Sequence, residues 1–133
     1  MKVLSVRQCW AWAIFHAGKD VENRTWRTHY RGPLGIHASG RGTPLGRELR
    51  EMRATLALIE PTRVPPKTFL LGILGVVELV DVMRDSRSAW AVPGCWHWVL
   101  RNARLLAQPI PRAGGLSLWE HDLDGVELLP AWG

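Results

Sequence analysis

Residues 69–82 read FLLGILGVVELVDV, an apolar run of Leu, Ile and Val that glycines interrupt. The run is too rich in β-branched residues and glycine to fit a surface helix. A continuous apolar stretch bounded by turn signals is typical of a strand buried in a core. We therefore predict a long, bent strand at the centre of a sheet.

The chain before this run predicts two groups of elements. Residues 3–5 form a short strand, and residues 7–17 a mostly apolar, largely buried helix that ends at Gly18, a residue suited to terminate a helix. Residues 20–26 and 34–38 are separated by a Gly-Pro turn and fit two strands joined by that turn.

A second helix has the clearest amphipathic pattern. Thr43 and Pro44 supply a cap and a first-turn proline, and apolar residues then recur at steps of four and three. These residues are Leu45, Leu49, Met52, Leu56 and Ile59. The opposite face carries Arg and Glu side chains, which is typical of a solvated surface.

The chain after the central run predicts further strands at residues 96–100 and 103–110, with Leu118 and Trp119 following a last Gly-Gly loop. The order of elements is βαββαβββ. Strands that outnumber helices and have varied connections predict an α+β fold. We expect a small closed or nearly closed β-barrel with two or three helices packed outside.

Length and composition indicate a globular protein. The 133 residues suit one domain over residues 1–133, and the proline-rich step at residues 61–66 fits a loop within it. No apolar stretch is long enough to span a bilayer, and the start lacks the apolar segment of a signal peptide. We expect a cytoplasmic monomer with no membrane partner.

The two cysteines, Cys9 and Cys95, have no spacing that indicates a metal site or a disulfide framework. Each lies beside a tryptophan, and free cysteine often behaves as a small buried hydrophobe. We expect both to pack in the protein, with a catalytic thiol as the alternative.

The charge balance suits a polyanionic partner. The formal net charge is +5, and 14 of the 17 basic residues are arginine, whose planar guanidinium binds phosphate bidentately and stacks on bases. Many basic domains bind no nucleic acid, so the charge alone does not establish nucleic-acid binding and the motifs must decide.

Three ionisable residues lie where the first helix gives way to a strand: Lys19, Glu22 and Arg24. Side chains alternate along a strand, so Glu22 and Arg24 share a face. Lys19 at the junction can converge with Glu22 on one ligand, for phosphate and base recognition or for acid-base chemistry. A purely structural ion-pair cluster is the alternative on spacing alone.

Several ordered motifs resemble the ASCH (activating signal cointegrator-1 homology) domain family of the PUA-like superfamily. They are Leu4-Ser5-x-x-Gln8-x-Trp10-Ala11, Gly18-Lys19-x-x-Glu22-x-Arg24-x-Trp26, Tyr30-Arg31-Gly32-x-Leu34-x-Ile36-His37-Ala38, the run 71–81 and Pro109-Ile110-Pro111-x-x-Gly114-x-x-x-Leu118-Trp119. Their order and spacing cover nearly the whole chain. In this sequence the Gly-to-Lys spacing is one residue shorter than in the family, and Cys9 replaces a common proline.

The resemblance implies a PUA-like barrel with a cleft lined by Lys19, Glu22 and Arg24. Members of the family are associated with RNA or DNA binding, with metal-dependent ribonuclease activity, or with hydrolysis of N4-acylated cytidines. The resemblance therefore implies nucleic acids or nucleosides as the substrate class, but it does not select one reaction.

Further binding candidates surround this motif. A tryptophan beside arginines suits base stacking in single-stranded nucleic acid, and Trp26 is the tryptophan in such a position. We expect four others to pack in the core: Trp10, Trp12, Trp96 and Trp98. Ser5 and Gln8 precede the first helix, where amide groups can hold an anion, although Ser5 can equally cap that helix. Four residues of the Arg-rich loop complete the set: Arg27, His29, Tyr30 and Arg31.

Three functions remain open on the sequence. The first is binding of RNA or single-stranded nucleic acid. The second is hydrolysis of a modified nucleoside, in which Lys19 and Glu22, with Glu78 if it faces the cleft, are catalytic. The third is metal-dependent ribonuclease activity, for which Asp20, Glu22 and Glu78 would supply carboxylates to a divalent ion such as manganese. The histidines show no metal-binding spacing, and we expect no tightly bound cofactor.

Overall fold

The computed structural model describes residues 1–40 and 46–130 and contains six strands and two helices in this part of the chain. The elements are β1 (Lys2–Arg7), α1 (Gln8–His16), β2 (Val21–Arg24), β3 (Gly32–Ser39), α2 (Gly46–Ile59), β4 (Gly72–Met83), β5 (Trp96–Ile110) and β6 (Leu118–Glu120). Neither helix in these residues is long and apolar enough to cross a membrane.

The six strands form one curled sheet in the order β2-β5-β4-β3-β1-β6. Neighbours are antiparallel except for β1 and β3, which run parallel. The sheet is an open half-barrel, and its concave side holds a core that includes Leu4, Ile36, Val77 and Trp98. The predicted α+β, PUA-like barrel is confirmed.

The predicted central strand is confirmed as β4, which lies between β3 and β5. It begins at Gly72 instead of residue 69, because Phe69 is buried beside Trp12 of α1, with the two ring centres 6.0 Å apart. Gly72 has a φ of +95°, and a Cβ there would collide with the Ile110 backbone. Glycine is therefore required where β4 and β5 meet.

The two strands predicted at residues 96–100 and 103–110 are one continuous strand, β5. Asn102 has a φ of +53°, and the pairing register with β4 shifts between Val76 and Glu78. Asparagine tolerates this left-handed conformation better than most residues. The break that we predicted between two strands at residues 100–103 is therefore a β-bulge within one strand.

The first helix matches its prediction within one residue at each end, and Gly18 follows it with a φ of +67°. Most of α1 is buried between the barrel and α2. Met52 and Leu56 of α2 pack against Cys9 and Ala13 of α1, and the charged face of α2 is exposed. The predicted cap Thr43, Pro44 and Leu45 lie outside the described residues.

Both cysteines are free thiols. Cys9 is fully buried in the α1–α2 core, which confirms its packing role, and Cys95 is half-buried at the start of β5. Burial, with a smaller contribution from the nearby Glu48 carboxylate, raises the pKa of Cys9 to about 11. Cys9 is therefore a neutral thiol at physiological pH, unsuited to nucleophilic chemistry.

Candidate nucleic-acid interface

A cleft of about 650 Å³ opens between α1, α2, β2 and the loop that precedes β5. We call it the Lys19 cleft. It is lined by Arg7, Trp10, Lys19, Glu22, Asn23, Arg24, Glu51, Ala54, Thr55, Ala89, Trp90, Ala91, Val92 and Pro93. The volume falls within the range of small-molecule and nucleotide pockets.

Strand β2 positions the charged wall of this cleft. It pairs with β5, so that Glu22 lies opposite Trp98 and Arg24 opposite Trp96. Lys19 lies two residues before the strand, and its amide donates to the Ala13 carbonyl in the last turn of α1. This bond holds Lys19 at the end of α1, beside the strand that carries Glu22.

Lys19 and Glu22 form a buried ion pair at the floor of the cleft. They are 3% and 6% exposed, and Lys19 Nζ lies 2.8 Å from Glu22 Oε1. Lys19 also donates to the Val21 carbonyl, and its ammonium lies 5.7 Å from the centre of the Trp10 ring. An ammonium has three donors. Within the described residues two are used, so the third can meet an acceptor in the cleft.

Arg24 forms the far wall of the cleft and is incompletely bonded. Its guanidinium donates to Glu22 Oε2 at 3.4 Å and to the Ser5 carbonyl at 3.0 Å. Its Nε is buried and has no hydrogen-bond partner among residues 1–40 and 46–130. An unpaired buried donor carries a free-energy cost.

A loop closes the cleft opposite the charged wall, and Asn23 holds this loop in place. The Asn23 amide donates to the Trp90 carbonyl at 2.9 Å and accepts from the Val92 amide at 2.8 Å. Trp90 packs edge-on against Trp10, with ring centres 6.4 Å apart. Two indole rings therefore wall the cleft beside the ion pair.

A second cavity of about 560 Å³ adjoins the Lys19 cleft and shares Asn23 and Arg24 with it. Its other lining residues are Ser5, Thr25, Trp26, Gly115, Leu116 and Ser117. Trp26 also packs edge-on against Trp98, with ring centres 4.8 Å apart, so it is partly a core residue. We call this space the Trp26 cavity.

Ser5 links β1 to residues 111–117, the loop between β5 and β6, which we call the closing loop. Its hydroxyl accepts from Trp119 Nε1 at 3.1 Å and from the Gly115 amide at 3.3 Å, and it lies 3.3 Å from His37 Nδ1. Ser5 lies within β1, and α1 has no side-chain cap. The capping alternative for Ser5 is therefore wrong, because the helix begins three residues later.

The structure does not bring the Arg-rich loop into either cavity, because β2 ends at Arg24. Arg27 lies over the Trp96 ring at 5.2 Å, and His29 is exposed on the loop. The Tyr30 hydroxyl donates to the Pro33 carbonyl. Arg31 donates to two loop carbonyls and lies 3.8 Å from Asp81.

Gln8 and Glu78 also lie outside both cavities. Gln8 is 3% exposed and packs against Gly40. Glu78 is exposed on β4, where its backbone lies in register with Arg101 of β5. Strand alternation turns it away from the core that its neighbours Val77 and Leu79 enter. The catalytic role for Glu78, which required it to face the cleft, is therefore contradicted.

The carboxylates named for a metal ion do not converge. Asp20 is exposed and accepts from the Ser88 hydroxyl, and both Glu22 oxygens are occupied by Lys19 and Arg24. In the part of the chain that the structure describes, no three His, Cys, Asp or Glu side chains form a group that could hold a metal. Among the described residues, the carboxylate set predicted for a metal, Asp20, Glu22 and Glu78, is therefore not assembled.

Two participants in the cleft were not identified from the sequence, namely Asn23 and Trp90. Asn23 lies between Glu22 and Arg24 in the motif, where alternation predicts the opposite face. Trp90 is 67 positions from Asn23, and a local pattern gives no signal for their contact. Trp10, which we expected only to pack, also lines the cleft.

Comparison with known proteins gives concordant matches. The sequence profile of the ASCH domain matches residues 4–93, a range that includes every residue lining the Lys19 cleft. Activating signal cointegrator 1 of Mus musculus is 29% identical over 128 residues, covering 90% of this chain and 22% of that protein. The protein of the same name from Homo sapiens gives the same identity and coverage. This chain thus spans 22% of the length of the curated relatives it matches.

Proposed function

Because this chain belongs to the ASCH domain family, we propose that it binds RNA or another single-stranded nucleic acid in the Lys19 cleft. Membership in the ASCH domain family supports nucleic-acid binding as a general property and leaves the binding mode to the residues of this chain. One observation carries the proposal for this chain. The buried Lys19–Glu22 ion pair lines a cleft that two tryptophans, Trp10 and Trp90, also line.

The chemistry of the cleft matches the parts of a nucleotide. Lys19 and Arg24 donate hydrogen bonds of the kind that phosphate and base carbonyl oxygens accept. Each Glu22 oxygen accepts one bond, from Lys19 or Arg24, and has a second lone pair for an exocyclic amino group or a ribose hydroxyl. Trp10 lines the cleft with a half-buried ring on which an unstacked base of a single strand can pack, and Trp90, which is 5% exposed, supports Trp10 by an edge-on contact. Duplex bases are already stacked, so this arrangement favours single strands.

The overall charge supports the same partner. The net charge of +5 raises the local concentration of a polyanion and steers it toward the protein. Arg7, Lys19 and Arg24 line the cleft together with Glu22 and Glu51, so the lining has an excess of one positive charge. Binding should therefore weaken as salt rises, because phosphate contacts release counterions.

The test is a fluorescence-anisotropy titration of a labelled 12-nucleotide single-stranded RNA at 50 and 200 mM salt. The variant is Lys19→Met with Glu22→Gln, which removes both buried charges together and leaves neither unpaired. We expect it to lower affinity at least tenfold and to reduce the slope of log affinity against log salt.

The matched control is Lys67→Met, which removes one positive charge from an exposed position outside both cavities. We expect it to change affinity less than twofold. Equal affinities for wild type and the double variant at both salt concentrations would contradict the proposal.

A second candidate function is hydrolysis of an N4-acylated cytidine, which the 2.8 Å contact between Lys19 and Glu22 favours. Glu22 would take a proton from water, whose oxygen attacks the acyl carbon, while Lys19 stabilises the oxyanion. The proton then passes to the departing N4 amine. The cleft is large enough for one nucleoside.

This hydrolase reading is tested by incubating the protein with N4-acetylcytidine and following cytidine by chromatography. Glu22→Gln should abolish turnover, because an amide cannot accept the proton. Lys67→Met should retain it. Absence of cytidine from the wild-type protein across a panel of acyl groups would reject this function.

A further inference from the structure

We infer that the site holds two successive nucleotides, one in the Lys19 cleft and the next in the Trp26 cavity, with the connecting phosphate on Arg24. This inference rests on the proposed function and extends it, because it selects an oligonucleotide over a free nucleoside or mononucleotide. The Lys19 cleft and the Trp26 cavity share a wall made by Asn23 and Arg24.

The guanidinium of Arg24 lies at the wall between the two cavities, where the backbone of a bound nucleic acid must pass from one cavity to the other. It touches Glu22 on the Lys19 side and the Ser5 carbonyl on the Trp26 side. Its buried Nε has no partner within the described residues, and its side chain remains 24% exposed. One N–H of each Nη group is used in these bonds and the second is left, and a planar guanidinium matches a phosphate bidentately. The anion it suits is therefore a phosphodiester between the cavities.

The Trp26 cavity has the features of a base-binding subsite. Trp26 supplies an aromatic wall, and Arg24 lies 5.9 Å from the centre of its ring. Leu116 also lines this cavity, and its side chain is 92% exposed. Ser117 beside it adopts a φ of +54°, a conformation uncommon for a residue other than glycine. A base bound in this cavity would cover apolar surface of Trp26 and Leu116 that is otherwise in water.

Neighbouring contacts hold this second subsite in shape. The Gly115 amide and the Trp119 indole both donate to the Ser5 hydroxyl, which ties the closing loop to β1. Asn23, at the shared wall, fixes the loop of the first cavity. Both subsites are therefore preformed on the sheet, and binding need not order them.

The test compares mononucleotides with dinucleotides by calorimetric titration, using UMP with UpU and AMP with ApA. UMP carries more negative charge than UpU, so tighter binding of UpU cannot come from charge alone. We expect dinucleotides to bind at least tenfold more tightly, since stacking one further base contributes about that much or more. Equal affinities within each pair would overturn the two-nucleotide site.

The variant is Leu116→Asp, which places a charge at the rim of the Trp26 cavity. It should lower dinucleotide affinity about tenfold and leave mononucleotide affinity unchanged. The control is Leu58→Asp on α2, where the side chain is 84% exposed and outside both cavities, and it should change neither affinity. An unchanged dinucleotide affinity in Leu116→Asp would also overturn the inference. If neither mononucleotides, dinucleotides nor the 12-nucleotide RNA bind wild type, the proposed function itself fails.

Discussion

Lys19 and Glu22 depend on each other for burial. Removing charges from water is costly, and in this pair the cost is offset by a 2.8 Å contact and by further bonds to Val21 and Arg24. Loss of one partner leaves the other buried without its counter-charge. The pair therefore affects folding as well as binding, and the two effects must be separated experimentally.

The single substitution Lys19→Met should lower the free energy of unfolding by about 3 kcal/mol, because it leaves the Glu22 carboxylate uncompensated. The double variant with Glu22→Gln should regain most of that loss. Urea denaturation followed by tryptophan fluorescence measures both. A single variant as stable as wild type would show that the pair contributes nothing to stability, and Lys67→Met supplies the surface reference.

The site residues that the sequence identified are those whose arrangement is local. Glu22 and Arg24 are two positions apart on one strand and do meet on one wall, as alternation predicts. Arg27 and Arg31 were expected beside them because they are near in sequence, but β2 ends and the chain turns away. Glu78 was left open because an interrupted apolar run does not show which face is buried.

Strand β4 can pack against its neighbours only because Gly75 has no side chain. A Cβ at Gly75 would collide with the Arg104 carbonyl of β5 and lie 2.6 Å from the Phe15 ring of α1. The glycines that interrupt the apolar run are therefore positions where another element approaches the strand closely.

Gly75→Ala should lower the free energy of unfolding by about 2 kcal/mol, because both α1 and β5 must shift to admit the methyl group. Thermal denaturation followed by circular dichroism measures the change. Gly46→Ala, at the exposed start of α2, is the control and should be neutral or slightly stabilising. A Gly75→Ala protein with an unchanged melting temperature would show that the strand relaxes without cost.

The pairing of β1 with β6 should depend on pH. The Lys2 ammonium donates to Glu120 at 2.9 Å, and this bond lowers the pKa of Glu120 below its usual 4.5. A lowered carboxyl pKa gives stability that is present above pH 4.5 and is lost as pH falls through the folded value. Hydrogen-exchange protection of β6 amides should decrease between pH 5 and 3. In Glu120→Gln this decrease should be absent, and an equal decrease there would assign the effect to another group.

The elements were predictable where their pattern is strong. The periodicity of α2, the apolar continuity of β4 and the glycine after α1 each located an element within a few residues. The division of β5 was wrong because a β-bulge at Asn102 resembles a turn when only the sequence is known. A bulge becomes visible through the register of the neighbouring strand, which is a long-range property.

At the scale of the whole molecule, the barrel class followed from the number of strands, but the cleft did not. The Lys19 cleft forms only when α2 and the loop around Trp90 are folded against β2, and the Trp26 cavity only when the closing loop reaches the same strand. These contacts join residues far apart in sequence. The assignment of residues 1–133 to one domain stays a prediction.

The most direct test of nucleic-acid binding in the Lys19 cleft uses the tryptophan indole signals in a ¹H–¹⁵N NMR spectrum. The chain has eight tryptophans, and single Trp→Phe variants assign their indoles. On addition of the 12-nucleotide RNA, we predict that Trp10 and Trp90 shift most, while Trp12, which packs against Phe69 outside the cleft, stays unchanged. Shifts confined to Trp12 or Trp119, with Trp10 and Trp90 unmoved at saturation, would contradict binding in this cleft.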